Sequence, residues 1–110
     1  MSETQTAQTP KTTPASKLTE EQLLSFCRLD PDYTSDGDVE FLALAHAAAL
    51  TFVKKTCGID DEYLDSDPNL AIATLVLVRD MYDNRSLLMK EEGMNPTVQG
   101  ILALHDHNLL

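Results

Sequence analysis

Apolar residues cluster in four stretches of this chain, each bounded by a start or stop signal for a helix. The first follows Thr19-Glu20-Glu21-Gln22, the S/T-x-x-E/Q form in which a threonine and a glutamine cap each other's backbone N–H groups. That helix carries Leu23, Leu24, Phe26 and Cys27 and ends before Asp30-Pro31, because a residue preceding proline is driven out of the α region. The second is placed at about Asp38 to Cys57, with Gly58 as its C-cap. Asp36, Asp38 and Glu40 near its start and Lys54 and Lys55 in its last turns complement the helix dipole. Val39, Leu42, Ala45, Ala49, Phe52 and Val53 trace its apolar face, while Phe41, Leu44, Ala48 and Leu50 widen it. Its alanines, Ala43, Ala45, Ala47, Ala48 and Ala49, make a thin wall that lets another helix approach closely, from the same subunit or from a neighbour.

Residues Asp60 to Asp65 read as an acidic loop, after which Asp67-Pro68 supplies an N-cap and a proline at the first helical position. The third helix runs from there to roughly Arg85, and from Leu70 to Val78 only Thr74 is polar. A helix apolar on all sides is expected to be buried on all sides, as the central element of the fold or of an assembled interface. Asn95-Pro96 repeats the start signal for a fourth helix, Thr97 to about His105, presenting Val98, Ile101 and Leu102. The connector between, Ser86 to Met94, holds Leu87, Leu88 and Met89, more apolar than a solvent loop requires and so a candidate contact with another molecule. Ahead of all this, Met1 to Lys17 is rich in threonine and proline, with no large apolar residue after Met1; residues 1–17 therefore read as a flexible arm. A tail without a role and an arm that orders against a neighbouring subunit both remain open. The expected fold is all-α: a small bundle of about four helices around a central apolar helix, occupying residues 18–110.

A chain of 110 residues has room for one such domain, and its scarce aromatics require an aliphatic core. Charge alters the functional picture more: 18 acidic against 8 basic residues leave a net charge of −10, which repels phosphate backbones and argues against gripping nucleic acid. Cys27 and Cys57 stand in helical patterns with no CxxC spacing, which suits a reducing compartment. No stretch approaches the length of a membrane span, and the N-terminus has no secretory pattern, so a cytosol-like setting without membrane contact is expected.

Candidate chemistry is thin. Asp32 to Val39 echoes the start of a calcium-binding EF-hand loop, but its twelfth position is Ala43 where a bidentate glutamate belongs, so a capped loop is the better reading. His105 and His107, two apart, diverge on a helix and lack a third metal ligand; they read as solvent-exposed at a fraying end. His46 has no nucleophile at helical spacing, and Cys57 sits at a helix C-terminus, whose dipole raises a thiol pKa. With no glycine-rich phosphate loop either, no catalytic residue, metal site or cofactor is assigned, and a non-enzymatic role is expected.

The order of these features resembles the head-tail connector, or head-completion adaptor, family of tailed bacteriophages. The residues that carry the resemblance are Asp30-Pro31-Asp32 before the alanine-rich helix, its ending Val53-Lys54-Lys55-Thr56-Cys57-Gly58, and Asp67-Pro68 opening the apolar run. Met81-Tyr82-Asp83-Asn84-Arg85 is similar to the family's Tyr-x-Asn-Arg helix ending, and Asn95-Pro96-x-Val98-x-Gly100-Ile101-Leu102 follows it. The threonine-rich start and the His105 to Leu110 ending depart from the pattern. The resemblance implies a structural virion protein: a homo-oligomeric, dodecameric ring beneath the portal protein at the head-tail junction. The ring would extend the DNA channel without sequence-specific binding and meet the next stopper or tail protein. Expected contact residues are Tyr82, Asn84, Arg85, Leu87, Leu88, Met89, Leu109 and Leu110, with Arg85 either paired to an acid of its own subunit or reaching a neighbour. The alternative from composition alone is a small acidic helical module that binds a host or phage protein.

Overall fold

The structure is a computed structural model that describes residues 13–87 and 94–107. Residues 1–12 of the expected arm, and the expected contacts Leu88, Met89, Leu109 and Leu110, lie outside the described residues. The described chain is all-helical, with α1 (Glu20–Phe26), α2 (Asp36–Cys57), α3 (Asp61–Ser66), α4 (Pro68–Asn84) and α5 (Pro96–Leu104), preceded by a 3-10 turn at Ala15–Lys17.

Local chemistry sets the starts. Thr19 and Gln22 form the expected capping box, Ser35 accepts the Asp38 N–H at 3.1 Å to open α2, and Asp67 and Asn95 cap α4 and α5 ahead of their prolines. The stops are more unusual. At the end of α1, Leu29 N–H reaches the Leu24 carbonyl at 2.9 Å; at the end of α4, Ser86 N–H reaches the Met81 carbonyl at 3.0 Å. Both closures are Schellman motifs, whose turning residue adopts the left-handed conformation usually given to glycine. Gly58 fills that position after α2 with φ 67°, but Arg28 and Arg85 fill it with φ 61° and 50°.

α4 is the centre of the fold and packs against every other helix and the 3-10 turn. Its buried row, Leu70, Ala73, Thr74, Leu77, Val78 and Met81, meets Leu42, Ala45, Ala49 and Val53 of α2, with Leu23 and Leu24 of α1, Leu64 of α3 and Val98 and Leu102 of α5 completing the core. Thr74, the one polar residue of the run, donates its hydroxyl to the Leu70 carbonyl at 2.8 Å, so its burial leaves no polar group unsatisfied.

Three expectations need correction. The apolar run of α4 is not buried on all sides: Ile72 is 44% exposed and Leu75 and Val76 are only partly covered, because the described elements do not close over that side of the helix. The acidic loop is the short helix α3, where Asp60 caps the Tyr63 N–H at 2.9 Å and Asp61 and Glu62 sit favourably in the first turn. Residues 13–17, assigned to the arm, are docked: Ala15 is fully buried, its carbonyl accepts from His46 Nε2 at 2.8 Å, and Ser16 donates N–H and hydroxyl to the Asp65 carboxylate. Alanine is small enough to enter a core that hydropathy alone would not have given it.

Candidate functional site

The end of α4 gathers the residues that sequence reading singled out. Tyr82 lies in its last turn, Asn84 closes it, and Arg85 turns the chain in the left-handed conformation. That backbone aims the guanidinium back over its own helix, 4.2 Å from the Tyr82 ring centroid and 5.8 Å from that of Phe41 on α2. Beyond the rings, Arg85 Nη1 donates to Asp38 Oδ1 at 2.9 Å, in the first turn of α2. The Phe41 and Tyr82 rings sit 6.2 Å apart beneath this bridge. Of the two roles open for Arg85, the structure places it in a pair within its own chain, with Asp38 rather than with Asp83. Asp83 lies 3.8 Å from Arg79 instead, and Asn84 donates its side-chain amide to the Asp80 carbonyl at 2.8 Å.

The bridge is electrostatically consistent. The Arg85 hydrogen bond holds the Asp38 carboxyl below its ordinary range, and Asp38 in turn raises the Arg85 pKa. A carboxylate whose pKa is lowered by folding contributes stability above its unfolded value of about 3.9 and loses it as pH falls through the folded value. The stability difference between wild type and Arg85→Ala is therefore expected to shrink below the ordinary aspartate range, as read by urea denaturation at neutral and at strongly acidic pH.

Asp80 behaves oppositely. Partial burial raises its pKa, and the Asp83 charge adds to that against a smaller opposing effect of Arg79. A carboxyl whose folded pKa is raised destabilises the fold while charged, and the penalty fades as pH falls through the raised value. Asp80→Asn is expected to raise Tm at neutral pH and to leave it unchanged in acid, by thermal melting across that range.

A second constellation lies at the other end of the bundle. Tyr63 Oη and His105 Nδ1 are 2.8 Å apart, His105 Nε2 is 3.4 Å from Asp67 Oδ2, and the His107 ring stands edge-on to Tyr63 at 4.5 Å. His105 is buried, and His107 N–H donates to the Cys57 carbonyl at 2.7 Å. His107 is exposed, as expected, but His105 is not: the chain after α5 folds back onto α2 and α3 as a clasp. The Tyr63 hydroxyl supplies the hydrogen bond that a buried imidazole requires, and the Asp67 carboxylate stands beside its other nitrogen.

Around these clusters the remaining candidates have structural duties. In the Asp32 to Val39 segment the polar groups serve local turns: Asp30 Oδ1 accepts the Asp32 N–H at 2.9 Å and the Asp30 carbonyl accepts the Thr34 hydroxyl at 2.6 Å. Among the described residues no group of three or more His, Cys, Asp or Glu side chains is placed to hold a metal ion. Cys57 is fully buried, and burial, with a smaller contribution from Asp106, pushes its thiol pKa up; Cys27 is raised chiefly by burial and also by Asp83, against Arg79. No helix among the described residues is long and apolar enough to cross a membrane.

Of the expected contact residues, Tyr82 and Arg85 come together, Asn84 turns back to its own helix, and Leu87, 43% exposed, follows the turn that Arg85 makes. Sequence reading missed the partners, Asp38 and Phe41, and the Tyr63–His105 pair, which are brought in from 47 and 42 residues away respectively for Asp38–Arg85 and Tyr63–His105. No local motif marks such distant pairings. A scan against protein-family models, a search of curated proteins and a search of solved structures each return no match to this chain.

Proposed function

We propose that this chain is a structural assembly protein of a tailed phage, a head-tail connector whose identical subunits form a dodecameric ring beneath the portal protein. In this role it resides in the virion at the head-tail junction, lengthens the DNA channel, and presents its lower surface to the next stopper or tail protein. The observation that carries the reading is the central helix itself. α4 is apolar from Leu70 to Val78 apart from Thr74, yet the single subunit leaves Ile72, Leu75 and Val76 at or near the surface. Apolar side chains retained on an uncovered side of a core helix fit a subunit that is completed by neighbours.

The acid placement agrees with this role. Asp38, Asp60 and Asp67 lie at helix starts, the last two as caps, rather than in a phosphate-like row along one face. A net charge of −10 lets DNA slide through a channel without sticking to it. The same charge makes subunits repel, so assembly is expected to strengthen as salt screens it.

Purified protein added to portal-bearing, DNA-filled heads that lack it is expected to appear as a ring under the portal by electron microscopy. Arg85→Ala is expected to weaken ring formation more than it weakens the folded monomer, because the arginine positions the turn into Leu87. Absence of any ring with wild-type protein would sink the connector reading. Unchanged rings with Arg85→Ala would limit that residue to its bond with Asp38.

A further inference from the structure

The exposed rows of α2 and α4 lie about half a turn round from their buried rows, at 100° per residue. On α2 the exposed row is Glu40, Leu44, Ala47, Thr51 and Lys55; on α4 it is Ile72, Leu75, Val76 and Arg79, partly or largely uncovered. Since the buried rows of these helices pack on each other, the outer rows point away from one another. The described chain measures 45 × 40 × 22 Å, and its shortest dimension is about two helix diameters. One side of the α2–α4 pair thus carries a low wall of alanine and threonine with Leu44, 54% exposed, and the other carries a branched aliphatic ridge.

The two rows are complementary. Going up α2, Glu40 is followed after four residues by Leu44 and after three more by Ala47. Going down α4, Arg79 is followed after four residues by Leu75 and after three more by Ile72. Two antiparallel helices in that register set Glu40 opposite Arg79, Leu44 against Leu75 and Val76, and the bulky Ile72 over the small Ala47. Small residues facing large ones allow the ridge of one helix to enter the groove of another. The pairing also uses different faces on each copy, the condition for a head-to-tail contact that closes by rotation.

Resting on the ring reading above, we infer that the outer face of α2 on one copy of this chain docks against the outer face of α4 on the next, with Ala47 seated under Ile72 and Glu40 beside Arg79. The repeating junction is then helix on helix, and the Arg85 bridge lies inside the subunit rather than across it.

The test uses the full chain with Cys27→Ser and paired Ala47→Cys and Ile72→Cys substitutions, both at exposed positions. A short bismaleimide at high protein concentration is expected to give a ladder of covalent multimers, since each subunit links to two different neighbours. Either cysteine alone is expected to give no species beyond a dimer. In a second arm, Ala47→Glu and Ile72→Glu proteins each fail to multimerise alone but form a one-to-one dimer when mixed, because each retains one intact face. Wild-type multimers by light scattering without the ladder, or multimers formed by both glutamate variants, would overturn the docking faces and leave the ring reading standing. A wild-type chain that yields no ladder and forms no ring even on portal-bearing heads would overturn both.

Discussion

Replacing Leu77 by alanine is expected to lower the unfolding free energy by about 2–5 kcal/mol, the usual cost of a large-to-small change in a packed core. Leu77 is fully buried on α4, the helix that touches all the others, so its loss opens a cavity where several elements meet and none can collapse without disturbing the rest. Against a total stability on the order of 5–15 kcal/mol for a domain this small, such a loss moves the urea midpoint far and leaves the slope unchanged. The companion substitution is Ile72→Ala, one and a half turns away on the uncovered side. It is expected to stay within roughly 0.5 kcal/mol of wild type in the monomer, as surface changes do. Equal losses at the two positions would mean that α4 is enclosed on all sides, contrary to the exposure of Ile72.

The second large effect is expected at the clasp. His105→Ala should destabilise by about 1–3 kcal/mol, because it removes a buried side chain and leaves the Tyr63 hydroxyl without its partner. Tyr63→Phe should cost less, and the double variant little more than His105→Ala alone. A double-mutant cycle by chemical denaturation then yields a coupling on the order of 0.5–3 kcal/mol. Independent, additive losses would show that the 2.8 Å contact carries no stability of its own and that the chain after α5 is held by other means, such as the His107 bond to Cys57.

How much of this was legible depended on how local the physics was. Thr19 with Gln22, Asp67 with Pro68, and Asn95 with Pro96 announce helices because a cap and its N–H groups lie within one turn of each other. The centrality of α4 could be read from its apolar run, because a helix with so little polar surface is stable only where other elements cover most of it, and the described elements all pack on it. α3 escaped notice because six residues are too few to display a helical period, though Asp60 at its cap was a usable sign. Ala15 escaped because its burial depends on His46 and the helices beneath it, not on its own hydropathy.

The candidate site divides along the same line. Tyr82, Asn84 and Arg85 were marked by their position at a helix end, a property of consecutive residues. That Arg85 would take the left-handed turn and bridge to Asp38 across Phe41 was not marked, because arginine has no preference for that conformation and only the arriving start of α2 supplies its partners. By itself, then, the sequence determined the helices, their caps, the aliphatic core and the acidic charge, all consequences of residue type and spacing along one chain. Only the tertiary structure decided which side of α4 stays uncovered, where Arg85 reaches and that His105 is clasped, because each depends on which distant surfaces come to lie within a few ångströms once the helices pack.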